Sequence, residues 1–345
     1  KRLLKMKGIY TMDAKEKVSI IDIAKKCGVS IATVSRVLNK NGRYSKETEE
    51  KILKVIEEYG YRRNVNAKSL RTKKTQTIGV IVPDITNEFF AKIIQSVEKN
   101  AMKYDYSVFV CNTDEDEKRE QIQVKNLLEK FVDGIIYISG RTDSGEKVEE
   151  NIGIPVVYID RYISASKMYI QSDNVEGGYL ATKELLDKGC KKIMILKDSR
   201  GISSIVSRYN GYENALREAG ISIDDKLICN VNKVDHVHAK SGILKKINSG
   251  VEFDGIFATN DWMAIGAISA LTEKKIRVPE DVKVVGFDNM AISELTVPTI
   301  TTINQDSEKM GEYGIEILMD MITNKNNSVR NISVPVTLVR RNTTG

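Results

Sequence analysis

The sequence has few of the residues that define several protein classes. Its four cysteines lie far apart among 345 residues, at positions 27, 111, 190 and 229, and form no CxxC or Cys/His spacing. This excludes a disulfide framework and a zinc site, and it fits a reducing cytoplasm. No apolar run approaches the roughly 18 residues that a membrane span needs. Residues 1–17 lack the apolar core of a secretory signal, so we expect a disordered extension there and a cytoplasmic protein.

Sequence motifs of common enzymes and cofactor sites are also absent. No GxGxxG follows the first strand-like segment, and neither GxxxxGK[ST] nor GxSxG occurs. These absences disfavour a dehydrogenase or a kinase. The two histidines, His236 and His238, have a spacing that could hold a metal, but no third ligand is evident, and a solvated loop is the better interpretation. We therefore predict a non-enzyme without cofactor or metal.

Charge divides the chain into two parts. Residues 1–77 hold 20 Lys and Arg against 8 Asp and Glu, a net of +12, while residues 78–345 hold 33 against 39, a net of −6. A single basic run is usually a solvated surface. A whole basic domain is better explained as the electrostatic footprint of a protein that binds a polyanion.

Within the basic part, residues 18–61 have the pattern of a helix-turn-helix domain. Ser19 and Asp22 predict a capping box, Gly28 predicts a tight turn, and Ser30 is a good N-cap for a second helix. Val34, Val37 and Leu38 share one face of that helix, whereas Ala32, Thr33, Ser35, Arg36 and Asn39 face outward. In such a motif the second helix enters the major groove, where Arg36 suits guanine and Ser30 and Thr33 suit phosphate.

A third helix and a polar linker follow. Ser45 predicts the start of a helix whose Ile52, Val55, Ile56 and Tyr59 would close a three-helix core. Residues 62–76 are polar and basic apart from Leu70, which would be inserted into the minor groove beside Arg71 if this segment folds on DNA. A plain linker is an equally good interpretation of the composition.

Residues 77–345 alternate short apolar segments with amphipathic ones, which predicts parallel sheets covered by helices on both faces. Such sheets bind ligands beyond the carboxyl ends of their strands. Asp84, Asp160, Asn260, Asp261 and Asp288 all follow predicted strands, and Arg208 opens a helical segment. Carboxylates, amides and an arginine suit sugar hydroxyls, and Phe89, Phe90 and Trp262 could wall a ring.

The motifs together resemble the LacI/GalR family of bacterial transcription regulators. They are VSIIDIAKKCGVSIATVSRVLN, NAKSLRT, TIGVIVPDITNEFF, VDGII, NDWMAIGA, VPEDVKVVGFDN and LTVPTITTINQD, in family order from Val18 to Arg341. The sequence departs from the pattern at Arg63 and Glu88, where many relatives have proline. The resemblance implies that Ile31, Ala32 and Arg36 read bases, that Leu70 is the wedge of a hinge helix, and that Asp160, Arg208, Asn260 and Asp288 hold a small effector.

Two residue sets summarise these expectations. The predicted DNA contacts are Ser19, Ser30, Ile31, Ala32, Thr33, Ser35, Arg36, Asn39, Asn64, Ala67, Leu70 and Arg71. The predicted effector contacts are Phe89, Phe90, Asp160, Arg208, Asn260, Trp262, Asp288 and Gln305.

The predicted fold is an all-α helix-turn-helix domain (18–61), a hinge (62–76) and a periplasmic-binding-protein-like α/β core (77–341) of two doubly wound lobes. The first lobe would comprise about 77–160 and 291–320, the second about 161–290 and 321–341, and 342–345 would be a tail.

The predicted function is a homodimeric repressor of a carbohydrate-utilisation operon. It would bind palindromic double-stranded operator DNA and a sugar or sugar-phosphate effector, with no membrane partner. One alternative is a catabolite-control-type regulator whose core responds to a phosphorylated carrier protein. A free-standing sugar-binding protein is the weaker alternative, because it would lack the basic domain.

Overall fold

The computed structural model describes residues 18–61, 74–138, 152–160, 168–324 and 330–345. The chain divides into two compact units, Lys1–Lys73 and Lys74–Gly345. The predicted extension 1–17 and most of the predicted hinge lie outside the described residues.

Residues 18–61, the described part of the first unit, contain three helices. They are α1 (Ile20–Cys27), α2 (Ile31–Asn39) and α3 (Lys46–Tyr59). Ser19 and Asp22 form the predicted capping box, and Gly28 ends α1 in the left-handed conformation at φ 65°, so that α2 begins only three residues later. Ser30 and Ser45 cap α2 and α3 as predicted, each by accepting a hydrogen bond from a backbone N–H three residues on.

One small apolar core holds these three helices together. Ile23, Val34 and Ile52 are fully buried in it, one from each helix. Val55 and Ile56 pack against it, in agreement with the sequence pattern. The prediction for Tyr59 was wrong, because its side chain is exposed and its ring lies 3.7 Å from the ammonium nitrogen of Lys26. A cation over the ring face takes the place of core packing there.

The second unit begins with a six-stranded parallel sheet, which defines the first lobe. Its strands are β1 (Thr77–Val82), β2 (Ser107–Asn112), β3 (Gly134–Ile138), β4 (Val156–Ile159), β5 (Met168–Ser172) and β11 (Arg330–Val334), in the order β11-β5-β4-β3-β1-β2. Helices α4 (Glu88–Met102) and α11 (Ser307–Asn324) pack together over one face, and α5 (Glu117–Glu129) packs against β1 on the other.

The second lobe has a four-stranded parallel sheet between two pairs of helices. Its strands are β6 (Ile193–Asp198), β7 (Ile228–Val231), β8 (Gly255–Ala258) and β9 (Lys283–Val285), in the order β7-β6-β8-β9. Helices α6 (Asn174–Asp187) and α7 (Ser203–Glu218) form one pair, and α8 (His236–Asn248) and α9 (Asp261–Glu273) form the other. The short helix α10 (Ile292–Leu295) follows, and the antiparallel pair β10 (Thr302–Gln305) and β12 (Val336–Val339) extends this lobe.

The chain crosses between the lobes at three places, and these crossings correct the predicted lobe boundaries. They follow Ser172, Gln305 and Val334, because β5 and β11 pair within the first sheet while β10 and β12 pack with Val285 and Phe287 of the second lobe. Residues 168–172 and 330–334 therefore belong to the first lobe, and 291–305 to the second. The prediction of a tail at 342–345 was also wrong. Thr343 and Thr344 are buried, and Thr343 Oγ1 accepts a hydrogen bond from the N–H of Thr301.

Three further observations concern sites that the sequence analysis considered. The four cysteines are free thiols. Across the described ranges, no group of three or more His, Cys, Asp or Glu side chains could hold a metal ion. No helix in that part of the chain has the length and apolar character to cross a membrane.

Candidate functional site

The second helix of the first unit presents a polar outer surface. Ile31, Ala32 and Arg36 are exposed on it, while Val34 and Val37 are buried on the opposite side. Ile31 is 47% exposed, so its side chain lies on the outer face of the helix. An exposed β-branched residue next to small side chains and one arginine is suited to close approach to base edges.

The remaining polar residues of α2 also stabilise the helix itself. Ser30 Oγ lies 2.9 Å from Thr33 Oγ1 and accepts from the Thr33 N–H. Asn39 Nδ2 donates to the carbonyl oxygen of Ser35 at 2.6 Å. Ser19 is held by its capping box at the start of α1. The predicted contacts Asn64, Ala67, Leu70 and Arg71 lie outside the described residues.

In the second unit, several of the predicted effector residues form one buried cluster around Asp288. Asn260 Nδ2 donates to Asp288 Oδ2, and Gln305 Nε2 donates to Asp288 Oδ1 at 2.6 Å. Arg208 Nη1 lies 3.7 Å from Asp288 Oδ1. Asp160 is close enough to Asp288 and Arg208 for their charges to shift its pKa. These five residues come from both lobes and are at most 8% exposed.

Packing fixes the Arg208 guanidinium on three sides. Its Nε donates to Asn174 Oδ1 at 2.9 Å, and its Nη1 donates to the carbonyl oxygen of Thr259 at 2.5 Å. Its guanidinium carbon lies 3.6 Å from the centroid of the Phe287 ring. A charged side chain that is oriented in this way presents its donors without further loss of rotamer freedom.

The cluster buries more acidic side chains than basic ones. Burial raises the pKa of Asp160 to about 7 and that of Asp288 to about 6, although the charge of Arg208 opposes both shifts. Burial, reinforced by the charge of Asp288, raises the pKa of Asp261 to about 8. Burial also lowers the pKa of Arg208. The protein keeps carboxyl groups in a site where their charge is unfavourable, which is typical of functional clusters.

Two acceptor oxygens in this cluster lack a partner. Asp160 Oδ1 and Gln305 Oε1 are buried and accept no hydrogen bond from the described residues. Asp160 and Asp288 also have positive φ angles, 62° and 106°, which are strained conformations for aspartate. Asp160 therefore combines a strained backbone with a buried acceptor that no described residue satisfies, and such combinations are concentrated at functional sites.

The predicted aromatic residues lie nearby in different settings. Phe89 is buried in the core of the first lobe and lines a cavity of about 650 Å³ that Asp288 and Gln305 also line. Phe90 packs beside it, with ring centroids 5.4 Å apart. Trp262 stands in the first turn of α9, 5.9 Å from the His236 ring.

Comparison with known proteins decides the family. The model for bacterial regulatory proteins of the lacI family matches residues 19–64, and that for a periplasmic binding protein-like domain matches residues 182–344. The transcriptional regulator RegA of Clostridium saccharobutylicum is 36% identical, over 94% of this chain and 99% of its own. This chain belongs to the LacI family of bacterial regulatory proteins.

Two further LacI-family relatives cover nearly the whole chain. The ribose operon repressor of Halalkalibacterium halodurans is 35% identical over 94% of this chain and 97% of its own. The crystal structure of the lac repressor dimer bound to operator and the anti-inducer ONPF superposes with a TM-score of 0.87 at 26% identity, over 95% of this chain and 99% of that one. These matches confirm the predicted fold class and a DNA-binding transcriptional regulator with an effector-binding core, in a family of regulators rather than enzymes.

Sequence reasoning missed two side chains that shape the LacI-family core. Asn174 orients Arg208, and Thr302 Oγ1 donates to Asp261 Oδ1 at 2.6 Å. Asn174 lies two residues after the end of β5, so the alternating segment MYIQS was the signal that could have found it. The prediction of a loop around His236 and His238 was wrong, because Asp235 caps α8 by accepting from the His238 N–H.

Proposed function

We propose that this protein represses a carbohydrate-utilisation operon and that a small sugar or sugar-like effector in the cleft between the lobes sets its operator affinity. The supporting observation is a pair of buried acceptors that have no hydrogen-bond partner among the described residues, Asp160 Oδ1 and Gln305 Oε1, in the cluster that holds Arg208. A ligand with several hydroxyl groups supplies donors to both oxygens and accepts from the guanidinium. Similarity to a ribose operon repressor supports the same class of ligand.

Dimerisation is part of the same proposal. A single recognition helix reads only one half of a palindromic operator, so two copies must be held at a fixed separation. Similarity to a lac repressor dimer bound to operator supports a homodimer here. In this proposal Ile31, Ala32 and Arg36 contact base edges, Leu70 wedges the minor groove, and Ser19, Ser30, Thr33, Ser35, Asn39, Asn64, Ala67 and Arg71 contact the backbone or position the helices.

Control of DNA binding would come from lobe closure. An effector that bridges Asp160 of the first lobe and Arg208 of the second binds the closed arrangement better than an open one. Closure would change the separation of the two recognition helices in the dimer. A coupling free energy of about 1–3 kcal/mol between the two sites is enough for regulation.

A thermal-shift panel tests the effector site. We expect one or more pentoses, hexoses or their phosphates to raise the melting temperature of the full chain by several degrees, because ligand binding stabilises only the folded state. Arg208→Lys should lose this shift, since lysine lacks the planar fork that reaches Asn174 and the cleft together. Arg217→Lys is the matched control, because Arg217 is exposed on the same helix.

The outcomes separate the proposals. An unchanged sugar shift in Arg208→Lys would remove the cluster as the effector site. A shift with a phosphorylated carrier protein and with no sugar would replace the proposal by catabolite-control-type regulation.

A further inference from the structure

An ion pair joins the two lobes at a position outside the effector cluster. Glu115 follows β2 of the first lobe, and Arg200 follows β6 of the second. Arg200 Nη1 donates to Glu115 Oε2, and Arg200 Nη2 lies 3.4 Å from Glu115 Oε1. The contact is bidentate, and bidentate arginine–carboxylate pairs combine charge attraction with fixed geometry.

A buried aspartate orients Arg200 towards the first lobe. Asp198 has a fully buried side chain and accepts from Arg200 Nε at 2.8 Å and from Arg200 Nη2 at 2.6 Å. It also accepts from the backbone N–H of Arg200 at 2.8 Å. Arg200 is only 25% exposed, and these contacts raise its pKa. The contacts with Asp198 therefore already order the Arg200 side chain within the second lobe. Its ion pair with Glu115 then costs little further side-chain entropy.

A second polar contact joins the lobes at a different strand. Glu88 is the first residue of α4, and its two carboxylate oxygens lie 2.8 and 3.0 Å from the backbone nitrogen of Ala291, whose N–H donates to them. Lys92 lies 2.7 Å from Glu88 Oε1 and neutralises the carboxylate.

We propose that these two contacts form an inter-lobe latch, made by Glu115–Arg200 and Glu88–Ala291, that holds the cleft closed without a ligand. Glu88 and Glu115 follow the neighbouring parallel strands β1 and β2, so both leave the same edge of the first sheet. Their partners follow β6 and β9 of the second sheet. Because each contact spans the cleft, opening of the lobes breaks both, and each contact favours formation of the other.

The latch has a consequence for regulation that rests on the proposed function. If the latch already holds most molecules in the closed arrangement, less of the effector's binding free energy is needed to close the lobes. The latch therefore raises apparent effector affinity and shifts the ligand-free protein towards the effector-bound arrangement.

Hydrogen–deuterium exchange of the full-length protein without effector tests the latch. In Glu115→Gln, we expect the Ala291 amide to exchange about two- to fivefold faster, the range expected for loss of one partly exposed ion pair. Glu115 makes no contact with Ala291, so a change there reports lobe opening.

Asp114→Asn is the matched control, because Asp114 precedes Glu115 and pairs with Arg119 inside the first lobe. Its exchange at Ala291 should equal that of the parent protein. Unchanged exchange of the Ala291 amide in Glu115→Gln would overturn the latch, and so would equal acceleration in the Asp114→Asn control. The measurement uses no effector, so its failure would leave the sugar site untouched, and failure of the sugar panel would leave the latch untouched.

Discussion

At the scale of the residue, the buried Asp261 carboxyl group makes the stability of the folded core depend on pH. Its carboxylate is fully buried and accepts hydrogen bonds from Thr302 Oγ1 and from the backbone N–H of Met290. Because its pKa rises from 3.8 to about 8 on folding, the folded state holds this proton more tightly than the unfolded state. The folded core is therefore destabilised by this group as the pH rises through that range.

This linkage gives a pH-dependent prediction for Asp261→Asn. We expect the variant to unfold at a slightly lower urea concentration than the parent at pH 5, because the protonated carboxyl group keeps acceptor capacity on both oxygens, whereas an amide nitrogen cannot accept a hydrogen bond. The gap in unfolding free energy should narrow by about 1 kcal/mol or more by pH 8, since only the parent has a group there that must lose its proton. Trp262, the single tryptophan of the sequence, lies next to position 261 and reports the transition by fluorescence.

Asp281→Asn provides the comparison for that experiment. Asp281 is exposed, and its hydrogen bonds with Arg277 lower its pKa to about 2, so it stays charged from pH 5 to pH 8 in both states. The difference in unfolding free energy between Asp281→Asn and the parent should therefore be constant from pH 5 to pH 8. A gap for Asp261→Asn that widens with pH would show that the carboxylate is charged and favourable in the folded core.

Members of the buried cluster around Asp288 could be found from the sequence where they follow a recognisable strand. Asp160, Asn260 and Asp288 each follow a short apolar run, and Arg208 matched a family position. Asn174 was not found because β5 alternates buried and half-buried residues over only five positions. The Asp198–Arg200–Glu115 contact could not be predicted for another reason. Glu115 lies in the first lobe and the other two residues in the second, and these lobes meet only in the folded chain.

At the scale of the element, two glycines allow α6 and α7 to pack closely enough to place Arg208. A Cβ atom on Gly178 would overlap the carbonyl oxygen of Arg208, and one on Gly211 would lie 2.6 Å from the backbone nitrogen of Tyr179. Backbone atoms of a helix cannot move aside as a side-chain tip can. The close crossing of these helices therefore depends on glycine at both positions.

Substitution of Gly178 tests this packing. We expect Gly178→Ala to lower the unfolding free energy of the core by more than about 2 kcal/mol, because the added methyl group forces the helices apart. Gly220→Ala should cost only about 1 kcal/mol, since Gly220 has a positive φ of 71° but open space around its Cβ position. Urea unfolding followed by Trp262 fluorescence compares the two, and equal losses would contradict the close-packing explanation.

Elements with strong local signals were the predictable ones. The capping residues Ser19, Ser30 and Ser45 and the turn at Gly28 fixed the three short helices, because caps act within a few residues. The glycines of α6 and α7 gave no such signal, since glycine inside a helix is unfavourable locally and only the neighbouring backbone explains it. The start of α8 at His236 was missed because its cap, Asp235, lies in a polar segment that resembles a loop.

At the scale of the whole molecule, the division of charge was the earliest correct indication of function. A basic segment and an acidic remainder coincide with a DNA-binding unit and an effector-binding core. The assignment of segments to lobes could not be predicted in the same way. Strands β5 and β11 are 158 residues apart at their ends, Ser172 and Arg330, yet they pair in one sheet, and no local pattern encodes such a partner.

Salt dependence tests this division of charge. The affinity for a palindromic operator duplex should fall by at least about 10³-fold between 50 and 200 mM salt, because binding of the basic unit releases counterions from the phosphates. Replacement of three exposed lysines of the first unit, Lys46, Lys51 and Lys54, by glutamine should reduce the slope of log affinity against log salt if they face phosphate. The same change at Lys191, Lys274 and Lys275 of the core should leave the slope intact. Fluorescence anisotropy at several salt concentrations measures both, and a slope that depends equally on the core lysines would show that the polyanion contacts both units.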